Sequence, residues 1–174
     1  IHYSDEDAIY CQEIVIDVEK LEPVIAYPFL PSNGHSVSQA VADNIRVDQV
    51  FIGSCTNGRL SDFKIAAEIL KDKKVARHVR LILTPGTQKI LREATKAGYI
   101  DTLVDAGAVV SNPTCGACLG GYMGILGDGE VCIATTNRNF VGRMGSRSSK
   151  IYLANSAVAA ASAISGYITD PRSL

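Results

Sequence analysis

Short apolar runs alternate with amphipathic stretches along most of this chain, and the alternation sets the expected elements. VFIG (50–53), RLILT (80–84), AVV (108–110), VCIATT (131–136) and KIYLA (150–154) are apolar runs of strand length, rich in β-branched residues and read as buried strands. Between them, Ser61–Leu70 carries Phe63, Ala66, Ala67 and Leu70 at helical spacing, and Thr87–Ala97 forms a second helix closed by Gly98. Ser156 is placed to cap a last helix, AVAAASAIS, stopped by Gly166. Toward the N-terminus CQEIVIDV alternates with period two, Ile14, Ile16 and Val18 on one face, and predicts a half-buried edge strand. From Glu22 to His35, three prolines and Asn33-Gly34 predict an extended connection without regular structure.

Strands that alternate with helices require right-handed crossovers. The expected fold class is therefore α/β, a three-layer α/β/α sandwich around a mostly parallel sheet. Residues 1–174 are read as one such domain, with 1–35 as its edge strand and extended connection. A chain of this length buries about 70 % of the surface it exposes when unfolded, so it needs no staple. The opening IHYSDEDAIY, without methionine and already in mid-pattern, gives the expectation that the chain is a piece of something longer.

Charge narrows the partners. Seventeen Lys and Arg against eighteen Asp and Glu leave a formal net charge of −1, so no overall field draws the chain to nucleic acid or to anionic lipid. The longest apolar stretch, LANSAVAAASAI, is interrupted by Asn155, Ser156 and Ser162 and is too short to span a bilayer. A cytoplasmic location without membrane attachment is expected.

Candidate chemistry gathers at the strand ends, where parallel sheets bind ligands. GSCTNGR follows the strand at 50–53 and carries Cys55; SNPTCGACLGG follows 108–110 and carries Cys115 and Cys118; NRNFVGR follows 131–136 and carries Asn137, Arg138 and Arg143. Five cysteines without a secretory signal disfavour a disulfide framework. A C-x-x-C pair alone leaves idle thiols, zinc, redox and iron–sulfur uses open. Cys132 lies within a predicted strand and Cys11 at the start of one, so both are assigned to the fold, and His2, His35 and His78 form no ligand-spaced pair. Three thiolates remain on two strand-end loops. As ligands of a cluster that usually takes four, they would leave one iron open to substrate. Guanidinium forks at Arg138 and Arg143, beside Asn137, suit a substrate with two or more carboxylates. The absence of G-x-G-x-x-G and of a P-loop lysine argues against a nucleotide-binding domain.

FIGSCTNGR, SNPTCGACLGG and ATTNRNFVGRMGS, in this order, resemble the signatures of the aconitase superfamily, and within it the large subunits of two-subunit isopropylmalate isomerases and archaeal-type homoaconitases. The likeness covers only the third, α/β/α domain of such a subunit; the preceding domains lie outside this chain. The resemblance implies that Cys55, Cys115 and Cys118 hold an oxygen-labile [4Fe–4S] cluster and that Asn137, Arg138 and Arg143 contact substrate or the cluster surroundings. It also implies a small, swivelling partner subunit that brings a serine base. No catalytic acid or base is assigned within this chain. The implied reaction is isomerisation of a hydroxy di- or tricarboxylic acid by dehydration and rehydration: 3-isopropylmalate to 2-isopropylmalate, in leucine biosynthesis. Alternatives are homoaconitate, citramalate or dimethylmalate as substrate, or an isolated, cluster-free fragment without activity. Ala117 stands where relatives often have proline, which implies a looser turn with the same ligand spacing.

Overall fold

The computed structural model describes residues 2–174; residue 1, which the expected edge region includes, lies outside them. A seven-stranded sheet organises the chain: β1 (Val24–Ala26), β2 (Gly34–Ser36), β3 (Gln49–Gly53), β4 (Arg80–Thr84), β5 (Val109–Val110), β6 (Val131–Ala134) and β7 (Lys150–Leu153). Their order is β2-β1-β7-β6-β3-β4-β5. β3 to β7 run parallel, and β1 pairs antiparallel with both β2 and β7. β3, in mid-sheet, is buried at every position, as a strand covered on both faces must be.

Among the described residues six α-helices accompany the sheet: α1 (Val37–Ala42), α2 (Ser54–Asn57), α3 (Leu60–Leu70), α4 (Gln88–Lys96), α5 (Tyr99–Ala106) and α6 (Ser156–Ser165). The alternation of side chains along each strand sorts the core into two clusters. Val50, Ile52, Leu81, Leu83, Ile133 and Tyr152 point to one face, where Phe63, Ala66 and Leu70 of α3, Ala94 of α4, Leu103 of α5 and Ala159, Ala160 and Ala163 of α6 cover them. Phe51, Ile82, Cys132, Ala134 and Ile151 point to the other face, which is covered by Ala117, Cys118, Leu126 and Met144. The third layer of the expected sandwich is thus built from loops and a short 3-10 turn, Gly116–Leu119, rather than from α-helices.

Handedness explains the division. Going from β3 to β4 and on to β5 moves the chain one way across the sheet, and right-handed crossovers keep those helices on one face. Going from β5 to β6 and on to β7 moves it back, so the same rule sends residues 111–130 and 135–149 over the opposite face. The loop face follows from topology.

Four local expectations need correction. CQEIVIDV forms no strand: Ile14, Ile16 and Val18 are 72 %, 64 % and 73 % exposed, and only a 3-10 turn at Val18–Lys20 breaks the extended course. Alternation fixes which side chains share a face but cannot supply a pairing strand, and among the described residues none lies beside it. The edge is taken instead by β1 and β2, three-residue strands inside the proline-bearing stretch expected to lack regular structure, with the prolines themselves outside the paired residues. Cys11, assigned to a strand start, is exposed. At α6 the cap is Asn155, whose side chain accepts from Val158 N, while Ser156 is the first helical residue and donates to Asp62.

Candidate functional site

The two directions of chain travel part between β3 and β6, and the loops that leave these neighbours diverge at their carboxyl ends. Such a switch point opens the crevice where α/β sheets bind ligands. Four loops meet at this rim, following β3, β4, β5 and β6.

After β3 the backbone turns at Gly53 with φ +126°, and a Cβ there would stand 1.9 Å from the Thr84 carbonyl oxygen, so no other residue fits. Ser54 follows with φ +73°, a left-handed conformation that costs a non-glycine residue on the order of 1 kcal/mol or more. This bend raises the helical turn α2, and with it Cys55, out of the sheet into solvent. The turn is tied across the switch point to the β6 loop: Gly53 N donates to Thr135 Oγ1 at 2.8 Å, and the Asn57 amide donates to the Thr135 carbonyl. Toward β4 the attachment is backbone to backbone, Gly86 N donating to Gly58 O at 2.9 Å.

The loop after β5 returns beneath its neighbours. Ser111 N donates to Leu83 O, its hydroxyl meets that of Thr84 at 3.2 Å, and the chain then enters the 3-10 turn that carries both remaining cysteines. Gly116, φ +56°, lies against Phe51, whose Cζ would be 3.0 Å from any added Cβ. The turn therefore passes β4 and packs under β3, four residues before Cys55. Within it Cys118 N donates to Cys115 O; Cys115 is half-buried and Cys118 buried.

The loop after β6 separates the two arginines expected to act alike. Asn137 and Arg138 are exposed, and Arg138 folds back to donate to Asn137 O at 2.7 Å. Arg143 turns inward: its Nη2 donates to Cys118 Sγ at 3.0 Å, and its guanidinium carbon stands 5.3 Å from the centroid of the Phe140 ring. Asn139, fully buried, fastens this loop by donating to Tyr27 O at 2.8 Å and to Ile151 O at 3.2 Å.

Sequence reasoning missed four polar contributors. Ser54 Oγ, Thr56 Oγ1, Thr136 Oγ1 and Asn139 Oδ1 are buried without a hydrogen-bonding partner among the described residues, and Arg143 Nε shares that state. Groups of this kind are rare in interiors, and all five lie on the α2 turn or the β6 loop. Their signal in the sequence was weak: serines and threonines at strand ends also serve ordinary turns. Cys132, assigned to the core, is buried in the loop-face cluster, where desolvation pushes its thiol up to about 12. It is inert at neutral pH.

Among the described residues no three His, Cys, Asp or Glu side chains converge tightly enough to share one metal ion. A cubane makes a different demand, since each thiolate binds a different iron and the sulfurs stand farther apart than the ligands of a single ion. Three free cysteines on two loops of one rim, glycine backbone beside Cys115 and Cys118, and buried donors without partners fit such a group.

The model of the aconitase family (aconitate hydratase) matches residues 1–166, and the chain belongs to that family. It is similar along its whole length to proteins named 3-isopropylmalate dehydratase large subunit: 92 % identical over 174 residues to that of Aliarcobacter butzleri, and 80 % over 172 residues to that of Sulfurimonas denitrificans. That of Wolinella succinogenes is 72 % identical over 173 residues. In each case the chain spans 41 % of the relative's length. The α/β class with a mostly parallel sheet and the superfamily expected from the three motifs are both borne out. No helix among the described residues is long and apolar enough to cross a membrane.

Proposed function

We propose that this chain is the cluster-bearing part of an aconitase-family hydro-lyase that interconverts 3-isopropylmalate and 2-isopropylmalate. The observation that supports the reading is the Arg143–Cys118 contact on loops that leave the sheet around its switch point, with Cys115 in the same 3-10 turn and Cys55 on the loop after β3. Relatives up to 92 % identical that bear the dehydratase name support the substrate.

Cys55, Cys115 and Cys118 would hold a [4Fe–4S] cluster. When bound by three thiolates, such a cluster supplies a Lewis-acidic iron without a protein ligand, suited to a hydroxyl and a carboxylate of the substrate. The chain's own residues then bind and orient. Arg138, exposed on the rim, offers a guanidinium fork to a substrate carboxylate, and Asn137 beside it offers amide donors. Asn139 fastens their loop to β7 and to Tyr27, which restrains the backbone that carries both groups. The apolar packing of the 3-10 turn on Phe51 and Ile82 shields one side of the site from water.

The proton acceptor lies outside this chain. The words "large subunit" in the relatives' names support a smaller partner, and the resemblance assigns it the base.

The test uses the full-length protein assembled with its small subunit and reconstituted anaerobically with iron and sulfide. Iron content, visible charge-transfer absorption and turnover of isopropylmalate, citramalate, dimethylmalate and homoaconitate are measured. Serine at position 55, 115 or 118 is expected to abolish the cluster, while C11S and C132S keep it, and isopropylmalate is expected to be the preferred acid. Full iron content in C55S, C115S or C118S, or preference for another acid, would overturn the reading.

A further inference from the structure

We propose that residues 12–18 are a strand whose sheet lies elsewhere: in the full-length large subunit they add to a sheet edge built by the part of the polypeptide that this chain does not span. The inference rests on the reading of the chain as part of a dehydratase large subunit. It goes beyond that reading by assigning an interface and the chemistry of the surface that meets it.

The segment is patterned for burial and has none. Every residue from 2 to 21 is exposed, with Ile9 at 98 % and Val15 at 84 %, and among the described residues their hydrogen bonds and ion pair all stay within this stretch. Large apolar side chains left in water at this density mark a surface that something covers. In an extended course Ile14 and Ile16 share one face with Gln12, while Glu13 and Asp17 share the other with Val15. One apolar and one charged face is the pattern of a strand packed on one side. Over residues 2–21 six carboxylates stand against one lysine, so the covering surface must also answer negative charge.

Copies of this chain offer no seat for it. The open edges of the sheet are β2 and β5, of three and two residues, too short to pair a seven-residue strand. Two such segments paired antiparallel about Val15 would set Glu13 opposite Asp17, and paired parallel in register each carboxylate would face its own copy. Like charges directly opposite destabilise a ladder. A slip of one residue would turn Ile14 and Ile16 against the charged face. What remains is chain of a different sequence. This chain spans 41 % of the length of its relatives, so the same polypeptide has the material to supply it. Covalent linkage holds such a segment at roughly millimolar effective concentration, an advantage a separate small subunit lacks. The surface that fits is a sheet edge about five or more residues long, with an apolar layer under Ile14 and Ile16 and Lys or Arg in line with Glu13 and Asp17.

The experiment follows amide exchange by mass spectrometry, through peptides covering residues 9–19, in this chain alone, in the full-length large subunit alone and in the two-subunit enzyme. In this chain alone the peptides are expected to exchange as an unfolded segment does, and in the full-length large subunit at least about 100-fold more slowly. I14S/I16S is expected to leave the thermal midpoint of this chain unchanged, since neither side chain is buried in it, and to lower that of the full-length large subunit by about 4 °C or more. E13K/D17K should cut the protection about tenfold. If either variant fails to assemble, the wild-type exchange comparison carries the test. Unfolded-type exchange of residues 9–19 in the full-length large subunit would overturn the inference. So would protection that appears only with the small subunit, or in this chain alone with rising concentration. A full-length protein that protects the segment yet binds no iron and turns over no isopropylmalate would instead remove the reading beneath it.

Discussion

The two faces of the sheet are covered by different means, and the contrast locates the chemistry. On the helix face, side chains of α3, α4, α5 and α6 meet Val50, Ile52, Leu81 and Leu83 in an apolar cluster. On the loop face a smaller cluster sits under a 3-10 turn and irregular segments. Among the described residues, each of the five buried polar atoms without a partner belongs to the loops of the rim or of the loop face, and none to the helices that cover the other side. The helix face spends its residues on burial. The loop face carries strain at Ser54, orphan donors and free thiols, the kinds of local inconsistency that proteins keep where they bind something.

The sharpest way to break this division is to damage each face and ask what else changes. Phe63, fully buried beneath α3, is the largest side chain that helix contributes. Phe63→Ala is expected to cost about 3–5 kcal/mol in urea unfolding of the isolated chain. If this residue only packs, the fraction of the full-length enzyme that still folds should load iron normally. Selective loss of iron at retained stability would contradict the separation.

Cys132 probes the loop face without touching its proposed ligands. Burial disfavours its thiolate, so the thiol is held at about 12 against an ordinary 9.0. The unfolded chain releases this proton first. The stabilising contribution is therefore complete below pH 9 and declines as pH rises toward 12, by about 1.4 kcal/mol per unit and approaching about 4 kcal/mol across the window. Cys132→Val should remove that slope. Parallel stability curves for the two proteins between pH 9 and 11 would show that the thiol does not titrate this way.

At Gly53 the two faces meet. Alanine there would put a Cβ 1.9 Å from the Thr84 carbonyl oxygen at φ +126°. The conformation alone costs about 1–3 kcal/mol. The relief is to shift α2, so Gly53→Ala is expected to reduce iron loading more than its stability loss would suggest, the reverse of Phe63→Ala. Equal loading at equal stability in the two variants would erase the distinction.

How far the sequence announced this arrangement differs between the two faces. β3, β4, β6, β7, α3 and α4 were legible within a few residues, because a buried strand or a helix with one apolar side repeats its signal along its length. α5 was missed because Gly98 reads as the end of α4; it is that end, and in its left-handed conformation it also starts the next helix. CQEIVIDV was over-read, since period-two patterning says nothing about whether a partner strand is present. Cys55, Cys115 and Cys118 were singled out by type and place, because thiols at strand ends are conspicuous, and the structure sets them on the loops after β3 and β5. The inward turn of Arg143 was illegible. Its distance from Asn137 in sequence is the same whichever way the side chain points, and only the packing of the 3-10 turn under Phe51 puts Cys118 within its reach.

The smallest expected effect lies at the far end of the loop face, where an ion pair closes the layer. Arg80 grips Glu130 through both terminal nitrogens at 2.8 and 2.7 Å and donates its Nε to Gln49, whose amide in turn donates to Gly124 O at 2.7 Å. Residues 124–130 are thereby pinned to β3 and β4 at the end opposite the cysteines. The hydrogen bond from Arg80 holds the Glu130 carboxyl below its ordinary 4.5, helped by the Gly127 amide. The charged form is the stabilising one, so this contribution is present above about pH 4.5 and is lost as pH falls through the lowered value. With the Arg80 side chain 47 % exposed, the pair is worth no more than about 1 kcal/mol and weakens with salt. Global melting should scarcely register Glu130→Gln. Amide exchange should register it locally: faster exchange at Leu126 and Val131 in the variant at neutral pH, matched by wild type only below pH 4.5, with Leu83 and Ile133 in the sheet unchanged. If acid loosened the helix-face strands together with this loop, the two faces would be one cooperative unit, and the division of labour between them would be a feature of packing alone.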